Sequence, residues 1–420
     1  MSPVTRRRFL KGTVASVACG WALSRCPRPG RAGISSRKPR VVIAGASFAG
    51  ISLAHALVRA APGADVLLLD RSALFVFAPM QLRYAFGRLS LEQVARPLAL
   101  LEARGLSVVQ AAITGVDRDR RRVITTAGAA DYDHLVLATG MRLATEAIPG
   151  LAGEPAANIG PYDRTGLLEL RGRIADFREG HVLIATPNGP YTCQPAPYEY
   201  ALMWAAHIER RGLKARVTLL DPRSRPTPPA IADGLTEAMD AHEGVLAYEP
   251  FTQIRSIDPR ARVAETDAGR LSYDLLSVIP PNRTMSFIGE AGLGEPFVDV
   301  DPRTFRSVRD ERIWALGDNA DTPYAKTAYT AMDSARLAAA TIGRAIGAKP
   351  PEAALPANRC YPMVDAARAL YIEAHWALEE DSAGAINVKV GGRHDDRARA
   401  SYARLRRQWE RRALSTLFGS

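Results

Sequence analysis

The chain has 420 residues, enough for two or three domains with a substantial core. Its formal net charge is +11, but residues 1–40 hold ten Lys/Arg and no Asp or Glu, which leaves about +1 (11 − 10) for the rest. The excess belongs to one end of the chain and gives no support to nucleic-acid binding, and beyond that end no stretch approaches the ~18 apolar residues of a membrane span.

Thr5-Arg6-Arg7-Arg8-Phe9-Leu10-Lys11, followed by a weakly apolar run from Gly12 to Leu23, reads as a twin-arginine export signal. Its end is expected near residue 33, and no later than about residue 40. This route carries folded, cofactor-loaded proteins, so the expected location is the periplasm. The alternatives are a basic N-terminal tail or a lipoprotein signal ending at Cys19, for which Ser16-Val17-Ala18 is a poor match. Cys19 and Cys26 would leave with the signal. Cys193 and Cys360 remain, and in an oxidising compartment two thiols are expected as a disulfide.

Arg40-Val-Val-Ile-Ala-Gly45 predicts a buried strand running into a Gly-rich turn, Gly45-Ala-Ser47-Phe48-Ala49-Gly50, and then a helix to Arg59. Gly45 permits the tight turn, and a helix N-terminus offers free N–H groups to a pyrophosphate. The middle glycine of the usual three is Ser47. A second strand, Asp65-Val-Leu-Leu-Leu-Asp70, ends in an acidic residue at the spacing that holds ribose hydroxyls; an Asp closing a strand is otherwise a turn former. Asp133-His-Leu-Val-Leu-Ala-Thr139-Gly140 is a third strand ending in a crossover. Arg312-Ile-Trp-Ala-Leu-Gly317-Asp318-Asn319 resembles the second FAD fingerprint of the two-dinucleotide flavoproteins, where the Asp accepts hydrogen bonds from the ribityl chain; the alternative is a type I turn. Together these patterns favour FAD over NAD.

The next predicted βαβ unit departs from the nicotinamide pattern. The strand His181–Thr186 is followed by Pro187-Asn-Gly-Pro190-Tyr-Thr-Cys193-Gln-Pro195-Ala-Pro197-Tyr-Glu199, which puts four prolines and a cysteine where a second Gly-x-Gly-x-x-Gly would cradle a pyrophosphate. Proline has no N–H to offer there. The helix Tyr198–Arg211 and the strand Ala215–Asp221 keep the architecture, so electrons are expected to reach FAD from something other than NAD(P)H.

This proline and cysteine loop resembles the flavoprotein subunit of flavocytochrome c sulfide dehydrogenase, a relative of sulfide:quinone reductase. The resemblance extends to the Gly-Asp-Asn motif, the helix Lys326–Ile342, Asn358-Arg-Cys360-Tyr, Ala383-Gly384-Ala385-Ile386, Trp409 and Phe418-Gly419. It implies an α/β fold with two Rossmann-like domains and a C-terminal α+β domain: a split FAD domain at 40–152 and 272–345, a second Rossmann-like domain without an NAD site at 153–271, and a C-terminal domain at 346–420. It also implies a redox-active Cys193–Cys360 disulfide beside the flavin. Hydrosulfide would attack it, leaving a persulfide and a thiolate. Glu199, six residues after Cys193, would move a proton or keep the thiolate reactive; the alternative is a carboxylate favoured by the helix dipole. For the cysteines the alternative is a passive bridge.

The resemblance further implies a separate c-type cytochrome as acceptor, since this chain has no Cys-x-x-Cys-His of its own. The family tethers FAD through a cysteine in the region matching Leu74–Tyr84, where this sequence has none, so FAD is expected to be non-covalent. The seven histidines show no metal-ligand spacing. Arg393–Arg412 reads as a highly charged helical stretch, a solvated face that could also seat the cytochrome, and Trp409 as a flavin neighbour or a packing anchor. The expected activity is periplasmic sulfide:cytochrome c oxidoreduction. The alternatives are a sulfide:quinone reductase, which would want an amphipathic membrane-docking C-terminus, and an accessory electron-transfer flavoprotein of thiosulfate oxidation.

Overall fold

The strand Arg40–Ala44 is the centre of the molecule's first layer: Val41, Val42, Ile43 and Ala44 are all fully buried because both faces of the sheet are covered. In a computed structural model that describes residues 37–155, 158, 160, 162, 164–189, 191–382 and 384–419, it lies in a five-stranded parallel sheet. The order is Ile313–Ala315, His134–Leu137, Arg40–Ala44, Asp65–Asp70, Ser107–Gln110. Ile313–Ala315 joins this sheet although the whole second sheet intervenes in the chain. The export signal with Cys19 and Cys26, and the motif positions 190 and 383, lie outside the described residues.

The helix Phe48–Ala60 follows the first strand, capped by the Ser47 hydroxyl, which accepts from Gly50 N–H at 3.2 Å. Two glycines let it approach the sheet. A Cβ on Gly45, whose φ is +109°, would lie 2.4 Å from the Ala138 carbonyl oxygen, and one on Gly50 would lie 2.0 Å from the Gly45 oxygen.

The second sheet is four-stranded and parallel, in the order Leu246–Glu249, Lys214–Leu220, Glu179–Ala185, Leu275–Val278. The helix Ala196–Arg211 covers it and starts two residues earlier than expected, because prolines are tolerated in a first turn. The C-terminal region is an antiparallel sheet of Ala357–Cys360, Ala369–Glu380 and Ile386–Arg399, followed by the helix Ala400–Phe418.

The expected helical stretch Arg393–Arg412 is corrected here. Its first part is strand: Arg393 stands opposite Glu373, and Arg393 Nε meets Glu373 Oε2 at 2.9 Å, a cross-strand pair that favours the hairpin. The helical part is not simply a solvated face either. Ala413, Leu414, Leu417 and Phe418 are buried in the core of the first sheet, and His55 Nε2 lies 2.9 Å from the Leu417 carbonyl. Each of the two leucines and the phenylalanine contributes about 1.5–3 kcal/mol by leaving water. The packing brings the middle of this helix over the end of the first sheet.

Candidate active site

An open cavity of about 270 Å³ lies where the Gly-rich turn, the Cys193 loop, the end of the strand Ala357–Cys360 and the C-terminal helix meet. Ser47, Phe48, Ala49, Gly140, Gly317, Asp318, Cys193, Glu199 and Cys360 all line it. The structure thus brings together residues scattered over most of the sequence.

Four predicted residues stand behind this wall. Gly45 and Gly50 set the close approach of turn and helix, as their missing Cβ atoms show. Thr139 donates to the Gly140 carbonyl at 3.3 Å. The Asp70 carboxylate accepts from Ala46 N–H and Ser72 N–H, each at 2.8 Å, so here it braces the turn.

The cavity's residues fit a flavin dinucleotide. Gly317, at φ +74°, brings Asp318 to the wall; a Cβ on it would sit 3.4 Å from Ala49 Cβ. Burial raises the Asp318 carboxyl above the usual carboxylate range, with Lys326 opposing. The Tyr162 hydroxyl is a buried donor on the cavity wall with no hydrogen-bond partner among the described residues. Thr327, which caps the helix Ala328–Ala345 by accepting from Thr330 N–H at 3.1 Å, presents that helix's N-terminus to the cavity. Asn319 serves the fold: its side-chain N–H donates to the Leu137 carbonyl at 3.1 Å, tying the two parts of the first sheet. Trp409 lines the cavity and packs on Phe77 and Tyr329, at ring separations of 5.7 and 6.2 Å, so it does serve as a packing anchor.

Cys193 adopts a left-handed backbone, φ +55°, uncommon for a residue with a Cβ, and its N–H donates to the Lys326 carbonyl at 3.3 Å. The expected disulfide is not formed; both cysteines are free thiols, and both face the same cavity. Cys193 is accessible from the cavity yet enclosed by protein on its other sides. Burial pushes its thiol up, with Cys360 and Glu199 adding to the effect and Arg406 opposing it. Burial pushes the Cys360 thiol up to about 12, again with Glu199 raising and Arg406 lowering. The Glu199 charge therefore works against a thiolate on either cysteine, contrary to one of the roles expected for it.

Glu199 is buried, 6% exposed, and accepts from Arg406 Nη1 and from Met363 N–H. Arg406 was not singled out from the sequence. All three of its guanidinium nitrogens are used: Nη1 on Glu199 and on the Tyr361 carbonyl at 3.0 Å, Nη2 on the Pro79 carbonyl at 2.7 Å, Nε on Glu410 at 3.1 Å. Glu410 in turn accepts from Arg83 at 2.5 Å. Two buried carboxylates and two arginines thus alternate, the arrangement that makes burial of charge tolerable. A helical signal was present, since Ala403, Arg406, Glu410, Ala413 and Leu417 share one face, but the surrounding arginines masked it.

Residues 160–280 match the model of the sulfide dehydrogenase (flavocytochrome c) flavoprotein chain, central region, and residues 39–175 match the pyridine nucleotide-disulphide oxidoreductases. The mitochondrial sulfide:quinone oxidoreductase of Dictyostelium discoideum is 25% identical over 338 residues, 77% of this chain and 73% of that protein. The sulfide:quinone oxidoreductase structure from Aquifex aeolicus superposes with a TM-score of 0.71 over 91% of this chain and 92% of that one, at 19% identity, and so speaks for the fold. Putidaredoxin reductase, from its complex with putidaredoxin, superposes at 0.63 over 86% and 88%, at 20% identity. The chain is a flavoprotein of the sulfide dehydrogenase and sulfide:quinone reductase type.

In this flavoprotein the C-terminal ends of the second sheet's strands, the usual place for a dinucleotide, are filled by side chains. The Asp221 carboxylate, with no exposure, accepts from Tyr198 OH, from Tyr248 OH at 3.2 Å, from Thr186 Oγ1 at 3.3 Å and from Arg223 N–H at 3.0 Å, and pairs with Arg223 Nη2 at 2.9 Å. Arg223 also donates to the Pro187 carbonyl at 3.2 Å. An acidic residue at the end of the second strand is thus present, as in nucleotide-binding units, but its carboxylate is spent internally.

Proposed function

We propose that this flavoprotein oxidises sulfide at Cys193 and Cys360 and, after twin-arginine export to the periplasm, passes the electrons to a separate c-type cytochrome. The observation that carries the reading is the placement of both thiols on one wall of the cavity that fits the dinucleotide. Bound FAD supplies a two-electron acceptor, held by the Gly-rich turn, the Gly317-Asp318 turn and the N-terminus of Ala328–Ala345. The chain's own part is sulfur exchange. In the oxidised form of the cysteine pair, HS⁻ attacks one sulfur, the S–S bond breaks, and a persulfide forms on that cysteine while the other leaves as a thiolate. Cys193 is the more exposed of the two and is the one open to attack; the thiolate then falls on Cys360, on the Arg406 side.

The Asp221 network supports an electron donor other than NAD(P)H, since a nucleotide would have to displace it. A sulfide:quinone reductase is the second reading, favoured by the relatives named above. Against it, the apolar face of the C-terminal helix, which such an enzyme would dock on a membrane, is committed to the core.

Anaerobic titration of the mature protein with sulfide, following the oxidised flavin band, tests the proposal. Wild type is expected to bleach stoichiometrically, and Cys193→Ser and Cys360→Ser not at all. A wild type that stays oxidised, with or without cytochrome c, would remove sulfide oxidation and leave an accessory flavoprotein.

A further inference from the structure

The buried ion-pair chain beside the cysteines forms and breaks no bond in the sulfur exchange, but its geometry gives it a part in it. Five charged side chains line the cavity: Glu199, Asp318, Lys326, Arg359 and Arg406. Two of the three cations are committed away from the sulfurs. Lys326 Nζ donates to the Ala320 carbonyl at 2.8 Å and lies 4.2 Å from the centre of the Phe297 ring, while Arg359 pairs with Glu373 at 3.2 Å. Arg406 differs. It bonds the carbonyl of Tyr361, the residue next to Cys360, as well as Glu199 and the carbonyl of Pro79, another lining residue of the cavity.

Nothing about Arg406 is adjustable. Its side chain is 12% exposed, each nitrogen has a partner, and Glu410, fixed by Arg83, braces it from the C-terminal helix. A fixed charge in a partly dry site acts more strongly than a mobile one in water. The charged groups acting on Cys360 are therefore one cation, Arg406, and one anion, Glu199, with Asp318 and Lys326 elsewhere on the cavity lining and Arg83 and Glu410 behind Arg406.

We propose that Arg406 is a positioning residue for the sulfur chemistry: its locked guanidinium supplies the positive charge that steadies an anionic sulfur on Cys360, and it holds the Glu199 carboxylate in place beside that sulfur. The inference rests on the reading of Cys193 and Cys360 as working sulfurs. The balance of the step is that of simple exchange: HS⁻ gives its electron pair to Cys193 sulfur, and the negative charge it carried appears on Cys360, next to Arg406. Glu199 opposes that charge, so the pair sets the acidity of the thiol from two sides. A merely structural pair would leave that acidity unchanged.

The test is the rate at which iodoacetamide alkylates Cys360 between pH 7 and 11 in the reduced, FAD-loaded protein, resolved from the other cysteines by peptide mass spectrometry. Arg406→Met is expected to alkylate about tenfold more slowly at each pH below the midpoint, an upward displacement of about one unit. Arg406→Lys, which keeps the charge, stays within about threefold of wild type. Glu199→Gln moves the other way and alkylates faster, which keeps the proposal testable if Arg406→Met fails to retain FAD. Superimposable profiles for wild type and a flavin-loaded Arg406→Met, or slower alkylation in Glu199→Gln, would overturn it. Sulfide bleaching measured on the same samples separates the two ideas. A flat alkylation series with normal bleaching removes the role of Arg406 alone, whereas the expected series without bleaching removes sulfide oxidation and leaves Arg406 acting on the thiol.

Discussion

Cys193 sits at φ +55° in a loop bounded by prolines. Such a conformation costs on the order of 1–3 kcal/mol for a residue with a Cβ and persists only when its surroundings impose it. Here they do: its N–H is held by Lys326, its carbonyl by Ala196 N–H at 2.9 Å, and Thr192 N–H by Asn282 at 3.0 Å. The same logic of imposed burial makes His207 a pH-sensitive residue. It is 5% exposed, packed against Phe86 and Trp204, and burial, then Arg210, Arg211 and Arg88, push its pKa down to about 4. Between about pH 6.5 and 4 the unfolded chain takes up a proton there that the folded chain refuses, so stability falls as pH falls through that window. His207→Leu is expected to flatten this slope; urea midpoints at pH 4.5 and 7.5 check it, and an unchanged difference would clear His207 of the effect. Asp221→Leu removes the acceptor for Tyr198, Tyr248 and Arg223 and leaves a half-buried guanidinium without its carboxylate, which is expected to cost about 3–5 kcal/mol in the same assay.

The C-terminal helix is the element on which fold and site depend together. One end, Ala413 to Phe418, is buried against the first sheet, and the turns before it carry Arg406 and Trp409 to the cavity, with Glu410 bracing Arg406 from behind. Leu417→Ala, at a fully buried position, is expected to destabilise the protein by about 2–5 kcal/mol and to weaken flavin retention in parallel. Denaturant unfolding and FAD content after gel filtration would show it; full stability in the variant would mean the helix is docked elsewhere in solution. This helix was also the least legible part of the sequence. Its arginines read as a solvated face, and nothing local distinguishes Arg406 from Arg404 or Arg407. Its main partner, Glu199, lies 207 residues earlier, and such a pairing is invisible to any window of helical periodicity. The Gly-rich turn was legible for the opposite reason. Gly45, Ser47 and Gly50 act on one another within a few residues, so spacing alone reveals them.

For the molecule as a whole, the two parallel sheets share an architecture but not a use. The first opens at its C-terminal ends onto the cavity; the second is closed there by the Asp221 network. Millimolar NADH or NADPH is therefore expected to leave the flavin spectrum unchanged under anaerobic conditions, and reduction at a catalytic rate would contradict the assignment. Acid precipitation is expected to release all the FAD into the supernatant, because the cavity wall formed by Ala78, Pro79, Gln81 and Leu82 contains no cysteine to hold it covalently. The sequence by itself determined the signal-like N-terminus, the strand–turn–helix that opens the first sheet, the proline-filled second turn and the two candidate cysteines, since each is a local pattern whose chemistry depends on neighbours in the chain. Only the tertiary structure decided that Asp221 spends its carboxylate on the fold, that Glu199 is ion-paired rather than free, and that Arg406 lines the same cavity as the two cysteines. Whether a charge is solvated, paired or aimed at a reacting atom depends on which distant segments pack against it, and packing, unlike propensity or turn chemistry, is not written within any one stretch of chain.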